Sequence, residues 1–115
     1  MIINSRRALV LGTATLALVA ALVVSGTAEN LPDAVVHQKN RDFQPVKISI
    51  AKGGVVRFEN DDPFLHQLFT NSPAFSFDSD EQSPGETIDI PFTEAGDFKV
   101  MCGIHPKMTL SVNVK

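Results

Sequence analysis

The stretch that decides the fold is "GDFKVMCGIHPKMTLSVNVK", residues 96 to 115. In its first part Phe98, Val100 and Cys102 share one parity, opposite Lys99. In its last part Met108, Leu110, Val112 and Val114 share one parity, opposite Thr109, Ser111, Asn113 and Lys115. Successive residues of a strand point to opposite faces, so the pattern predicts two half-buried strands. Cys102 is then the inward end of the first and Met108 the inward start of the second. Between them lies "GIHPK", with His105 at its centre and Pro106 stiffening the turn. A thiol, an imidazole and a thioether thus converge at one end of a β-structure.

The chain upstream has the same character. "VKISIA" (46–51) alternates, "KGG" turns, and "VVRFEN" (55–60) puts Val56 and Phe58 on one face. "NDDP" (60–63) breaks that run, and "LHQLFT" reads as a further strand. After "SPG" (83–85), Ile88, Ile90 and Phe92 share a face, and "EAGD" (94–97) turns again. Short alternating runs with no helical stripe predict an all-β sandwich or barrel. Tyr and Trp are absent, so Phe must supply the aromatic core.

Residues 1–28 read differently. Arg6 and Arg7 precede a charge-free apolar run from Ala8 to Val24, and small residues follow at Gly26 and Ala28. That is the pattern of an export signal, and "SRRALVL" resembles the twin-arginine type. A retained N-terminal anchor is the competing reading, because 17 residues reach the lower edge of a bilayer span. The expected location is the periplasm or the outer face of the cytoplasmic membrane, with a thylakoid lumen also open. Residues 29–115 then form one small domain carrying 8 Lys+Arg against 13 Asp+Glu. That acidic balance argues against nucleic acid, whose phosphates need a basic surface. The domain is expected to be monomeric, and to touch a membrane only if the signal is retained.

One cysteine makes no internal disulfide. In an exported protein it serves an intermolecular bridge, a reactive thiol or a metal. The third reading gains from His66, 36 residues upstream at a strand start and able to reach the same rim. His66, Cys102, His105 and Met108 make a His₂Cys set with a weak axial thioether, the ligand set of blue copper. Cys102 as a small buried hydrophobe would fit its parity but not its neighbours. His37 has no partner pattern and reads as a surface residue. Met101 falls on the outward parity and is not counted as a ligand. Asp61, Asp62, Asp78, Asp80 and Glu81 read as solvated loop charges that at most steer a basic partner.

From Phe43 to the C-terminus, "FQPVKISIAKGGVVRFENDD…H…AGDFKVMCGIHPKM" resembles the cupredoxins, the small blue copper proteins. The spacing Cys-x₂-His-x₂-Met is similar to the short ligand loop of amicyanin-like and plastocyanin-like members. The resemblance implies a Greek-key sandwich of about eight strands and one type 1 copper. It implies that His66 is the buried ligand, and that electrons pass through the partly exposed His105. Two departures stand out. Many members carry Asn after the first His and Ser or Thr after the Cys, tying the two loops together. Gln67 and Gly103 stand here, so that tie is absent or remade. Ile104 replaces a common Pro, and its free N–H is expected to point at the Cys102 sulfur. Asn60, Gln67, Gly103 and Ile104 are the residues expected to surround the ligands.

Pro63, Phe64, Leu65, Ile104 and Pro106 are expected to form an apolar collar around His105, a small docking patch for transient redox proteins such as a cytochrome or an oxidoreductase. The expected function is one-electron transfer between larger partners, without enzymatic activity. The alternative is a copper chaperone or store, which would want exposed, flexible Met- or His-rich stretches. A thiol enzyme built on Cys102 and His105 would need an oriented base and an oxyanion hole, and a zinc site would make poor use of Met108.

Overall fold

The computed structural model describes residues 12–21 and 31–115. Residues 12–21 are exposed and belong to no helix or strand; the rest of the expected export segment lies outside the described residues. No described helix is long and apolar enough to cross a membrane.

Nine strands follow: β1 (Ala34–Lys39), β2 (Asp42–Gln44), β3 (Lys47–Ile50), β4 (Val55–Asn60), β5 (His66–Asn71), β6 (Ser76–Gln82), β7 (Thr87–Pro91), β8 (Gly96–Cys102) and β9 (Thr109–Val114). They form a four-stranded sheet, β2-β1-β4-β7, and a five-stranded sheet, β3-β9-β8-β5-β6. Both sheets are mixed: β1 runs parallel to β4 and β3 parallel to β9, while the other pairs are antiparallel. The chain changes sheet between β2 and β3 across the cis Gln44–Pro45 bond.

The parities read from the sequence hold. Val56 and Phe58 face inward from β4, Phe98, Val100 and Cys102 from β8, and Leu110, Val112 and Val114 from β9. With Val36, Phe43, Leu68, Phe92 and Met108 they make one continuous core. Full burial of each such side chain contributes about 1.5–3 kcal/mol, so alternation alone is enough to pin the register of the central strands. Gly53 takes φ +85° at the "KGG" turn, as the glycine pair suggested.

Two strands escaped the sequence. β2 is three residues long. β6 carries Asp78, Asp80 and Glu81, three of the residues expected in solvated loops; they lie instead on an edge strand whose residues are largely exposed. The β1–β2 connection is a two-residue turn with both Asn40 and Arg41 at positive φ (56° and 58°). That backbone is what a tight hairpin demands, yet Arg is a costly residue for it. The compensation comes from far along the chain. Asp62 accepts the backbone N–H of Asn40 at 2.7 Å and that of Arg41 at 3.1 Å.

Candidate metal centre

β5 and β8 are hydrogen-bonded neighbours, with Leu68 opposite Cys102. That pairing sets His66, at the start of β5, beside the end of β8. The β8–β9 loop then folds His105 back over the pair and is closed by the Met108 N–H donating to the His105 carbonyl at 2.9 Å. Nδ1 of His66 lies 3.5 Å from the Cys102 sulfur, Nδ1 of His105 lies 3.8 Å from it, and the two nitrogens are 3.2 Å apart. His66, Cys102 and Met108 are buried to within 1% of full burial, whereas His105 is half-buried.

The hydrogen bonding of His66 fixes which nitrogen faces the cluster. Its Nε2 lies 2.8 Å from Oδ2 of Asp62, a residue only 5% exposed. Burial works against ionising Asp62, but the hydrogen bond from His66 and the two backbone N–H groups of Arg41 and Asn40 outweigh it, and its pKa is lowered. An ionised carboxylate only accepts, so Nε2 carries a proton, and in the neutral imidazole that a metal requires Nδ1 is the atom that turns a lone pair to the site. Burial, followed by His66 and Arg41, lowers the pKa of His105 against the opposing pull of Asp62. Its imidazole is therefore neutral at neutral pH.

With the thiol deprotonated and His105 carrying its proton on Nε2, the three inward atoms become lone-pair donors converging on a point that a cation can fill. A triangle with these three sides has a circumradius of about 2.0 Å, within the range of metal–imidazole bonds and slightly short of metal–thiolate ones. One soft thiolate, two imidazoles and the buried thioether of Met108 fit type 1 copper in donor number and chemistry.

The surroundings differ in detail from those expected. Asp62 is no solvated loop charge: it holds His66 and the Asn40–Arg41 turn together. The tie between the two ligand loops is remade through the backbone, with the Gly103 N–H donating to the Gln67 carbonyl at 3.1 Å. The backbone N–H that reaches the Cys102 sulfur belongs to Gln67, at 3.4 Å, and not to Ile104. The Gln67 amide turns away, donating to Asp78 at 2.9 Å and 3.1 Å; Asp78 too is thus engaged rather than merely solvated. Asn60 braces the 61–65 loop, donating to the carbonyls of Phe64 and Gln82 and accepting the Asp62 N–H. Nothing in the local sequence marks Asp62 for its role, apart from its standing four residues before His66.

Phe64 packs edge-on against both imidazoles, at centroid distances of 5.4 Å and 5.2 Å, and Arg41 lies 5.0 Å above its ring. Leu65 and Ile104 are exposed at 38% and 43%. Arg41, Ile104, His105, Pro106 and Lys107 line one open depression. The collar expected around His105 is therefore apolar at its centre and basic at its rim.

No sequence-family model matches the chain, and no curated protein matches it by sequence. Solved structures do. A copper-containing nitrite reductase from Thermus scotoductus superposes with a TM-score of 0.68 at 28% identity, over 76% of this chain and 23% of the reductase. This chain thus corresponds to about a quarter of that enzyme. A Cu(I) form of an amicyanin variant gives 0.67 at 19% identity, over 75% of this chain and 87% of the amicyanin. A purple cupredoxin from Nitrosopumilus maritimus gives 0.64 at 23% identity, over 72% of this chain and all of its own. The chain has the cupredoxin fold, and it carries a cupredoxin-like ligand set at the rim where β5 meets the β8–β9 loop.

Proposed function

We propose that this chain is an exported type 1 copper protein that carries single electrons between larger redox proteins. The observation that supports it most is the triangle of Cys102 Sγ, His66 Nδ1 and His105 Nδ1, with Met108 buried at the end of the loop that carries His105. Copper held there supplies a one-electron couple. The chain's own residues supply the rest. Asp62 and Asn60 hold His66 in one tautomer and one orientation, as outer partners of metal ligands do. The Gln67 N–H stabilises negative charge on the Cys102 sulfur. Phe64 wedges both rings in place, so little reorganises when charge moves.

His105 is the only one of the four ligands with substantial exposure, which makes it the electron's point of entry and exit. Ile104, Pro106, Leu65 and Phe64 surround it with an apolar face that excludes water at a transient contact. Arg41 and Lys107 at its edge favour a partner whose contact surface is acidic, although the 29–115 domain carries an excess of acids. A set of four donors fills the site and leaves no place for a substrate, so the protein is a carrier and not an enzyme.

The test is the visible spectrum of the copper-loaded, oxidised protein, with concentration taken from amino-acid analysis because Tyr and Trp are absent. An intense thiolate-to-Cu(II) band is expected, lost in Cys102→Ser and altered in Met108→Leu. A pale protein that holds only Cu(I) would overturn the carrier reading in favour of copper storage or delivery.

A further inference from the structure

The outer face of the four-stranded sheet carries a second group of metal-ligating side chains. His37 on β1 and Glu59 on β4 are Cα partners in the parallel pair. Both have outward parity, since Val36, Gln38, Phe58 and Asn60 beside them are buried. Asp61 follows β4 directly, and its backbone N–H donates to the Gln38 carbonyl at 2.9 Å, which holds it against β1. Nδ1 of His37 lies 2.7 Å from Oδ2 of Asp61 and 3.2 Å from Oε2 of Glu59. All three ligand atoms fall within 4.8 Å of one another. His37 is therefore not the partnerless surface residue that its sequence context suggests.

An ion pair accounts for only part of this arrangement. A protonated imidazole offers two N–H groups that point apart, and it gains most by taking one carboxylate on each. Here both carboxylates converge on Nδ1, whose single N–H can be aimed well at only one of them. Three donors gathered about one point, two of them anionic, suit a cation that accepts ligands from several directions at once.

We propose that His37, Glu59 and Asp61 form a second, surface site for a divalent transition ion of borderline softness, of which Zn²⁺ is the working example. One imidazole and two carboxylates match that class of ion, and solvent water completes the coordination because all three side chains are partly exposed. The two carboxylates balance the ion's charge, and the imidazole binds in its neutral form. Side chains of this exposure widen the 2.7 Å contact by the few tenths of an ångström that two ligands of one ion require. The site stands beside the first without sharing a residue with it: Asp61 turns outward to His37, and Asp62 turns inward to His66.

The experiment is equilibrium dialysis of the copper-loaded chain against Zn²⁺, with bound metal counted by elemental analysis. The expected result is one further equivalent of zinc. It is lost in the double variant His37→Gln/Asp61→Asn, while the visible band of the first site stays unchanged. Glu59→Gln alone removes one anionic ligand and lowers the zinc uptake, and it gives a reading should the double variant fold poorly. No zinc taken up by the unaltered chain, or equal uptake by the altered ones, overturns the proposal. The difference between variants is read in the same way whichever ion fills the first site.

Discussion

Oδ2 of Asp62 and Nε2 of His66 lie 2.8 Å apart in the interior, four residues from each other along the chain. The same carboxylate accepts both N–H groups of the Asn40–Arg41 turn. One side chain therefore orients a metal ligand and sustains a strained hairpin that carries Arg41 to the depression beside His105. Asp62→Ala is expected to weaken copper retention by about 10- to 100-fold. It also costs about 2–4 kcal/mol of stability, because buried donors lose a charged acceptor. Competition with a chelator measures the first effect, and denaturant unfolding of the metal-free protein measures the second.

Gly103 is held small by its neighbour. A Cβ there would lie 2.5 Å from Oε1 of Gln67, and that amide is anchored on Asp78. Gly103→Ala is therefore expected to destabilise the protein by about 1–3 kcal/mol. Gln67→Ala in the same chain should recover most of that loss. A double-mutant cycle in urea reads the coupling, and strict additivity would show that the two side chains do not compete for space.

Across β4 and β7, the Arg57 guanidinium donates to both oxygens of Asp89, at 2.9 Å and 3.0 Å. The hydrogen bond from Arg57 holds the Asp89 carboxyl below its ordinary value despite slight burial. A depressed folded pKa contributes stability above the unfolded value, and that contribution disappears as pH falls through the folded one. Both side chains are about a third or more exposed, so the effect is at most about 1 kcal/mol and is screened by salt. Asp89→Asn should lower stability slightly at pH 6 and not at all near pH 2. A pH series of unfolding curves for the two proteins tests this.

The basic rim around His105 gives the electron-transfer kinetics a sign. Oxidation of the reduced protein by anionic hexacyanoferrate(III) is expected to slow as salt is added, against the repulsion that a net acidic domain would produce at long range. Arg41→Glu with Lys107→Glu should reverse the trend. Stopped-flow rates over a range of ionic strength decide between a local and a global field.

How much of this was legible in the sequence depended on how local the signal was. Cys102, His105 and Met108 lie within seven residues, at and between the facing ends of two strands whose alternation is nearly perfect, so their convergence followed from parity and a short loop. His66 needed only a strand start at a compatible distance. Asp62 was misread because its partners are Asn40, Arg41 and His66, and the two turn residues lie more than twenty positions away. A short Asp-Asp-Pro run looks like any solvated turn. β6 was hard to read because its inward side turns only one apolar residue, Phe77, to the core, and the rest of that side is polar, with Ser79 half-buried and Gln82 buried. His37 acquired its carboxylate neighbours only through the parallel β1·β4 pairing, which no turn signal announces.

That edge strand has a consequence of its own. A free sheet edge is a template on which another chain can polymerise. β6 closes the five-stranded sheet with Asp78, Asp80 and Glu81, and β2, at one edge of the other sheet, offers only three residues. A second molecule adding along β6 would set carboxylate against carboxylate. The electrostatics of that border therefore discourage strand-by-strand growth along β6.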